Sequence, residues 1–524
     1  MNSSEARTNP LLPRRPIAIL SAFALVLLLQ LFATLPAMEF PGTLMDEGML
    51  LYYPELLGKG LIPQRDFESM YPPGNIWFLA GAYSLFGTSV QTERLCALLF
   101  QIALTSGFFV LLSRWSLKVA VAGGILCLFA LLPLNLVAFA WVGGSAFALW
   151  AVVAISARGR PETRGALAGG LAALALTWRV DLAPAVILSL AGYCILARWK
   201  MRPVLWLMGT AAVVLLPLLA HVLKVSPSAF INGVFLKPVL TCSHGRTLPL
   251  DFSRALIGQL YTLLLISTGL ALFAGWRAHR TAGIGNPALI AAGLLSLGAL
   301  PQALMRPDIT HLSFVTPLAL PLLAVALSIL FSHHKLTPAL AVVSVFLLLP
   351  QTAEMLRTRL AGQSSPAGSV FTLHSGDRSF PVANMFYAKA SQEVLTHLSK
   401  ASNPGETLFI GPNDLRFAMG NDLFLYHLLP WLNPCSYYLE MNPLSPNLPG
   451  SGLAEQVAQS DWLILSSYWS TLREPNASQI PGPATPNEVV RERFDLVFSH
   501  YPFEIYKRRG LVGRISHSPE AVIR

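Results

Sequence analysis

The feature that most constrains this chain is a recurrence: apolar runs of roughly twenty residues, separated by short segments that carry small clusters of Lys and Arg. A helix needs about 20 apolar residues to cross the bilayer hydrocarbon. Backbone polar groups in that medium must be satisfied internally, so such runs fold as helices. Charged residues make up 12% of the 524-residue chain, against about 25% in ordinary soluble domains. The formal net charge of +10 is concentrated between the runs, which is the pattern of membrane orientation. A nucleic-acid surface would need a basic face with interleaved aromatics on a soluble domain. None is visible, and no nucleic-acid partner is expected.

Cytoplasmic loops are enriched in Lys and Arg, so Arg14 and Arg15 put the N-terminus inside. The apolar run 17–36 has span length, beyond a signal-peptide core, and reads as a retained first helix. Run 92–113 returns to Arg114 and Lys118. Run 119–156 holds two helices bent at Pro133 and Asn135, ending on Arg158, Arg160 and Arg164. Run 165–197 is just long enough for two short helices with Trp178, Arg179 and Asp181 at their junction. Read as one helix, it would bury Arg179 and Asp181 mid-bilayer and reverse all later parity. Runs 203–223, 255–276, 287–304, 313–331 and 336–355 follow, with Arg277, Arg280, His333, His334 and Lys335 on the basic side. The expectation is an all-α polytopic membrane protein of about eleven transmembrane helices, with every strongly basic short loop on one face.

The composition changes near Arg357. Residues 1–356 form the transmembrane domain with a first outer loop over 38–91, and 357–524 form an extracytoplasmic α/β domain. Within the latter, "ETLFIG", "DWLILSS" and "FDLVFSHYPFEIYKRR" read as strands and "AKASQEVLTHLSK" as an amphipathic helix. The five cysteines have no metal-type spacing; parity alone would allow a Cys242–Cys435 disulfide.

Charge gathers at the outer face. Asp46, Glu47, Arg65, Asp66 and Glu68 lie in the first outer loop, Arg179 and Asp181 at a short outer turn, and Arg306, Asp308 and His311 at a later one. Ionisable groups at the interface are costly and usually line a polar cavity. The mixture of signs suits an anion held beside a carboxylate base. Plainer readings stand beside this one. Asp46 and Glu47 also suit an acidic cap on the helix "EGMLLYYPELL", Arg179–Asp181 an ion pair sealing a hairpin, Asp308 and His311 ordinary loop groups, and Tyr71-Pro72-Pro73 a turn.

The ordered set Asp46-Glu47, "LLGKGLIPQRDF", "YPPGNIWFLAGAYSLFG" and "ERLCALL", over 45–99, resembles the first-loop signature of the GT-C glycosyltransferases. That superfamily includes protein O-mannosyltransferases, lipid A aminoarabinose transferases and the RgtA/B/C/D-like bacterial enzymes. The loop lacks the Lys-Pro-Pro form of the aminoarabinose and mannosyl branches, which leans toward the RgtA-like group. The resemblance implies inverting transfer from a polyprenyl-phosphate-linked sugar to a glycolipid, polysaccharide or protein acceptor at the outer face of a bacterial inner membrane, lipopolysaccharide being one such acceptor. It places Asp46 at the catalytic acidic position with Glu47 beside it, Arg94 at the arginine opening the second helix, and Asp66 and Tyr71-Pro72-Pro73 at the end of the loop. Arg65, Arg179 and Arg306 are the cations available to hold a phosphate through a guanidinium fork, and Asp181 is a second carboxylate by position alone. No cofactor or metal-ligand set is expected, although a divalent-metal requirement stays open. A transporter or flippase, which would also use intramembrane charge, is the alternative.

Overall fold

A computed structural model of the chain describes residues 16–282, 287–331, 334–361 and 369–510. Arg14, Arg15 and His333, used above for orientation, lie outside the described residues. The described chain forms two compact units. The first is drawn from Met1–Met38, Leu95–Leu216 and Leu250–Pro366, the second from Glu39–Arg94, Pro217–Pro249 and Ala367–Arg524.

Helices occupy each expected apolar run: Pro16–Thr34, Val90–Leu112, Leu117–Leu131, Ala140–Ile155, Pro161–Trp178, Ala183–Leu196, Met201–Val214, Ala255–Ala282, Pro287–Met305, Ile309–Leu330 and Thr337–Leu348. Among the described residues six are long and apolar enough to cross a membrane, or up to eight if each of two bent pairs is one span. Ala140–Ile155 and Val180–Leu196 are shorter apolar stretches. Run 119–156 breaks at a 3-10 turn, Leu132–Leu134, after which Asn135 takes φ 52°. Run 165–197 breaks at Val180–Leu182, and Pro184 enters the first turn of the next helix, where its missing N–H costs nothing. Arg179 and Asp181 therefore sit between two helices and not in the middle of one.

Packing in this unit uses close backbone approach. Gly165 and Gly169, one turn apart on Pro161–Trp178, face Met201–Val214. A Cβ at Gly169 would stand 2.0 Å from the Leu207 carbonyl oxygen, and one at Gly165 2.4 Å from that of Pro203. Membrane helices gain little from the hydrophobic effect and pack through such small-residue faces. A Gly169→Leu variant is expected to lose about 1–3 kcal/mol of stability, read as a lower unfolding midpoint of the purified protein.

The second unit carries the sheets. β1 (Phe371–Ser375) and β2 (Arg378–Val382) form an antiparallel hairpin. β3 (Thr407–Pro412), β4 (Asn433–Pro434), β5 (Trp462–Ser466), β6 (Phe494–His500) and β7 (Phe503–Arg508) form one sheet in the order β4-β3-β5-β7-β6. β3 is parallel to both neighbours, while β7 is antiparallel to β5 and β6. The strands read from sequence are β3, β5, β6 and β7, and the amphipathic helix is Met385–Ala401. One face of the sheet is closed by Phe409, Leu415, Leu453, Val457, Leu463, Leu465 and Phe494.

Three segments far apart in sequence meet here. The Gly42 N–H donates to the Pro381 carbonyl, the Phe424 N–H to that of Leu44, and the Glu68 N–H to that of Tyr437 (2.7, 3.3 and 2.6 Å). The first outer loop is thus built into the same compact unit as the C-terminal sheet. Cys242 and Cys435 are both free thiols, so the pairing that parity alone would allow is not made. Cys435 Sγ and Ser460 Oγ share a hydrogen bond of 2.7 Å.

Candidate active site

Asp46 and Glu47 open the helix Asp46–Gly58, where Met45 supplies no side-chain cap. Exposed N–H groups and the helix dipole favour carboxylates there. Successive helical residues point about 100° apart, and the two carboxylates have different fates. Glu47 is fully buried, while Asp46 is partly exposed. Thr43 Oγ1 accepts from the Glu47 N–H (2.9 Å) and the Thr43 N–H donates to Glu47 Oε2 (3.3 Å), the reciprocal logic of a capping box. Arg94 clasps the same carboxylate, Nε to Oε1 at 2.7 Å and the terminal nitrogen to Oε2 at 3.1 Å. Both side chains are at most 3% exposed. Arg94 therefore anchors Glu47 and fixes the turn that presents Asp46.

The rest of the loop is a set of locked turns. Asp66 Oδ2 accepts the Ile62 N–H at 2.7 Å and pairs with Arg65 at the surface. Gln64, at φ 64°, donates through its amide to the Ser69 and Tyr71 carbonyls (3.1 and 2.7 Å). Its amide oxygen meets His221 Nε2 at 2.8 Å. Pro73 then leads into the helix Gly74–Phe86. Tyr71 hydrogen-bonds Arg246.

In the first unit, Arg179 makes two hydrogen bonds to Asp181 (2.9 and 2.6 Å) and lies 5.2 Å from the Trp141 ring. Arg306 Nε donates to Asp308 Oδ2 at 2.8 Å, and Asp308 Oδ1 takes both the backbone N–H and ring Nδ1 of His311 at 2.8 Å each. Burial pushes the Asp308 carboxyl up, but its hydrogen bonds to His311 and the Arg306 charge bring it on balance below the usual range. Each of the four arginines named as site candidates thus has a carboxylate beside it: Arg65–Asp66, Arg94–Glu47, Arg179–Asp181 and Arg306–Asp308.

Sequence reasoning named Glu68 but not the buried polar cluster it joins in the second unit. Glu68 Oε1 takes Lys237 Nζ at 2.6 Å and Ser445 Oγ at 2.5 Å. Tyr53 and Asn442 both donate to Glu440 at 2.9 Å. Burial, opposed by the Asn442 hydrogen bond and reinforced by the Glu68 charge, pushes Glu440 up to about 7 from the usual 4.5. Burial likewise pushes Asp422 up to about 6 from 3.8, despite its hydrogen bond from Tyr387. A raised carboxyl pKa means that the folded unit keeps protons the unfolded chain has released. The stability this provides is full below about pH 4 and is lost as pH rises through about 6–7. The unfolding midpoint is expected to fall between about pH 5 and 8 and to flatten in Glu440→Gln. No group of three or more His, Cys, Asp or Glu side chains among the described residues is arranged to hold a metal.

The architecture is similar to that of ArnT from Cupriavidus metallidurans, seen in a crystal structure bound to undecaprenyl phosphate. The TM-score is 0.55 at 14% identity, covering 94% of this chain and 97% of that one. The chain has the GT-C fold. ArnT in the apo state aligns at a TM-score of 0.52, also at 14% identity, covering 94% of this chain and 97% of that one. A mycobacterial arabinofuranosyltransferase, AftD, aligns at 0.51 and 16% identity over 94% of this chain, which spans 40% of that protein. No family model matches the sequence, and no curated protein does. At these identities the likeness is of fold, and of the expected signature over 45–99, residues 45–94 fall in the second unit and 95–99 in the first.

Proposed function

We propose that this protein is an inverting glycosyltransferase that moves a sugar from a polyprenyl-phosphate donor to an acceptor hydroxyl at the outer face of the membrane, with Asp46 as general base. The observation that carries the reading is the split of the acidic pair. Glu47 is consumed by Thr43 and Arg94, and its neighbour Asp46 is held partly exposed on the first turn of a fixed helix. The GT-C fold supports it, as does the undecaprenyl phosphate bound to ArnT.

The chemistry balances without a nucleotide. Asp46 takes the proton of the acceptor hydroxyl as its oxygen bonds to the anomeric carbon. The bond from that carbon to the phosphate oxygen breaks, and the lipid phosphate leaves with the electron pair. The anomeric centre passes through oxocarbenium character, as in glycoside hydrolysis. Mass spectrometry of surface glycolipids, polysaccharides and glycoproteins, with and without the gene, tests the reading. Loss of one sugar from one glycan class is expected. Unchanged glycans together with altered uptake of a solute would replace the reading with a transporter.

A further inference from the structure

The Glu68 carboxylate is 4% exposed, and its two oxygens are treated differently. Oε1 takes two donors, Lys237 and Ser445. Oε2 is buried and has no hydrogen-bond partner among the described residues. A buried acceptor left unmet carries a desolvation penalty, larger when the group is charged, so a folded chain rarely leaves one without a reason. A second observation lies on the same cluster. Lys237 belongs to Asn232–Cys242, eleven residues of π-helix, a rare conformation that recurs at functional sites. Lys237 Nζ stands 4.8 Å from the centre of the Tyr438 ring, and Tyr437 lies edge-on to Tyr438 at 5.3 Å.

Charge decides what could meet Oε2. Lys237 faces Glu68 directly, and Arg246 lies close enough to Glu440 to feel its charge, so an incoming ammonium would be a third cation. A phosphate would meet the unpartnered oxygen of Glu68 head-on. A neutral hydroxyl donor satisfies that oxygen with no charge penalty, and Tyr437 and Tyr438 lie close enough to Glu68 to feel its charge. We propose that Glu68, fixed by Lys237 and Ser445, accepts a hydrogen bond from a hydroxyl of a sugar ring and sets which sugar this protein takes. The identification of the ligand as a substrate sugar rests on the glycosyltransferase reading above.

The test uses the purified full chain in detergent micelles and a panel of methyl pentosides and hexosides with their monodeoxy analogues, read by ligand-observed NMR. The wild type should bind at least one parent glycoside and lose about 10- to 100-fold on removal of one hydroxyl, the weight of a hydrogen bond to a charged group. Glu68→Gln should bind parent and deoxy analogue alike. Ser445→Ala keeps the carboxylate but frees it, and should show reduced discrimination; it decides the matter if Glu68→Gln fails to fold. No glycoside binding by the wild type, or discrimination unchanged in the variants, overturns the proposal. In a transfer assay, a KM raised for the polyprenyl-linked sugar assigns the ring to the donor, and one raised for the acceptor assigns it there. Glu68-dependent glycoside binding without any transfer would leave this proposal standing and remove the glycosyltransferase reading.

Discussion

An Asp46→Asn variant is expected to lose sugar transfer by about 10²–10⁴-fold, the usual weight of a general base, while its unfolding midpoint stays within about 0.5 kcal/mol of the wild type, as for a substitution outside the core. Asn keeps the size of the side chain and its capacity to accept a hydrogen bond at the helix start, but it cannot take a proton. The loss should appear in kcat and in kcat/KM equally, because the lost interaction forms only in the transition state. The assay is transfer of label in membranes supplied with polyprenyl-linked donor. Near-wild-type turnover would remove Asp46 from the mechanism and return it to the role of an acidic helix cap.

What could be read in advance follows the range of the interactions involved. The apolar runs and their basic flanks are local signals, and helices fall on all of them. Even the break of run 165–197 is legible, because a single helix would strand Arg179 and Asp181 in hydrocarbon. The strands β3, β5, β6 and β7 announce themselves by β-branched and aromatic runs. The hairpin β1–β2 escaped notice although Gly376-Asp377 is a recognised two-residue turn; its strands are only five residues each. The division of labour between Asp46 and Glu47 is not legible at all. Adjacent carboxylates in a first turn look alike until a partner 47 positions away, Arg94, takes one of them. The Glu68 cluster is more remote still. Its cation lies 169 residues off and its hydroxyl donor 377 residues off, and no motif links them.

Arg94→Met should be the most destabilising single substitution in the outer loop, by about 3–5 kcal/mol, because it leaves a buried carboxylate without its cation. Glu47 has no route to solvent: its side chain is 0% exposed, and Gly42 approaches so closely that a Cβ there would lie 2.6 Å from Glu47 Oε2. The damage should therefore come from the stranded charge and not from lost attraction alone. That distinction is measurable in a double-mutant cycle. Glu47→Gln with Arg94→Met removes both charges, and its cost should fall well below the sum of the single variants. Transfer by the double variant, assayed below its own unfolding midpoint, should recover toward wild type if Glu47 only positions the turn that carries Asp46. If the double variant folds and still transfers no sugar, Glu47 takes part in the chemistry, and the assignment of a single catalytic carboxylate in this loop fails.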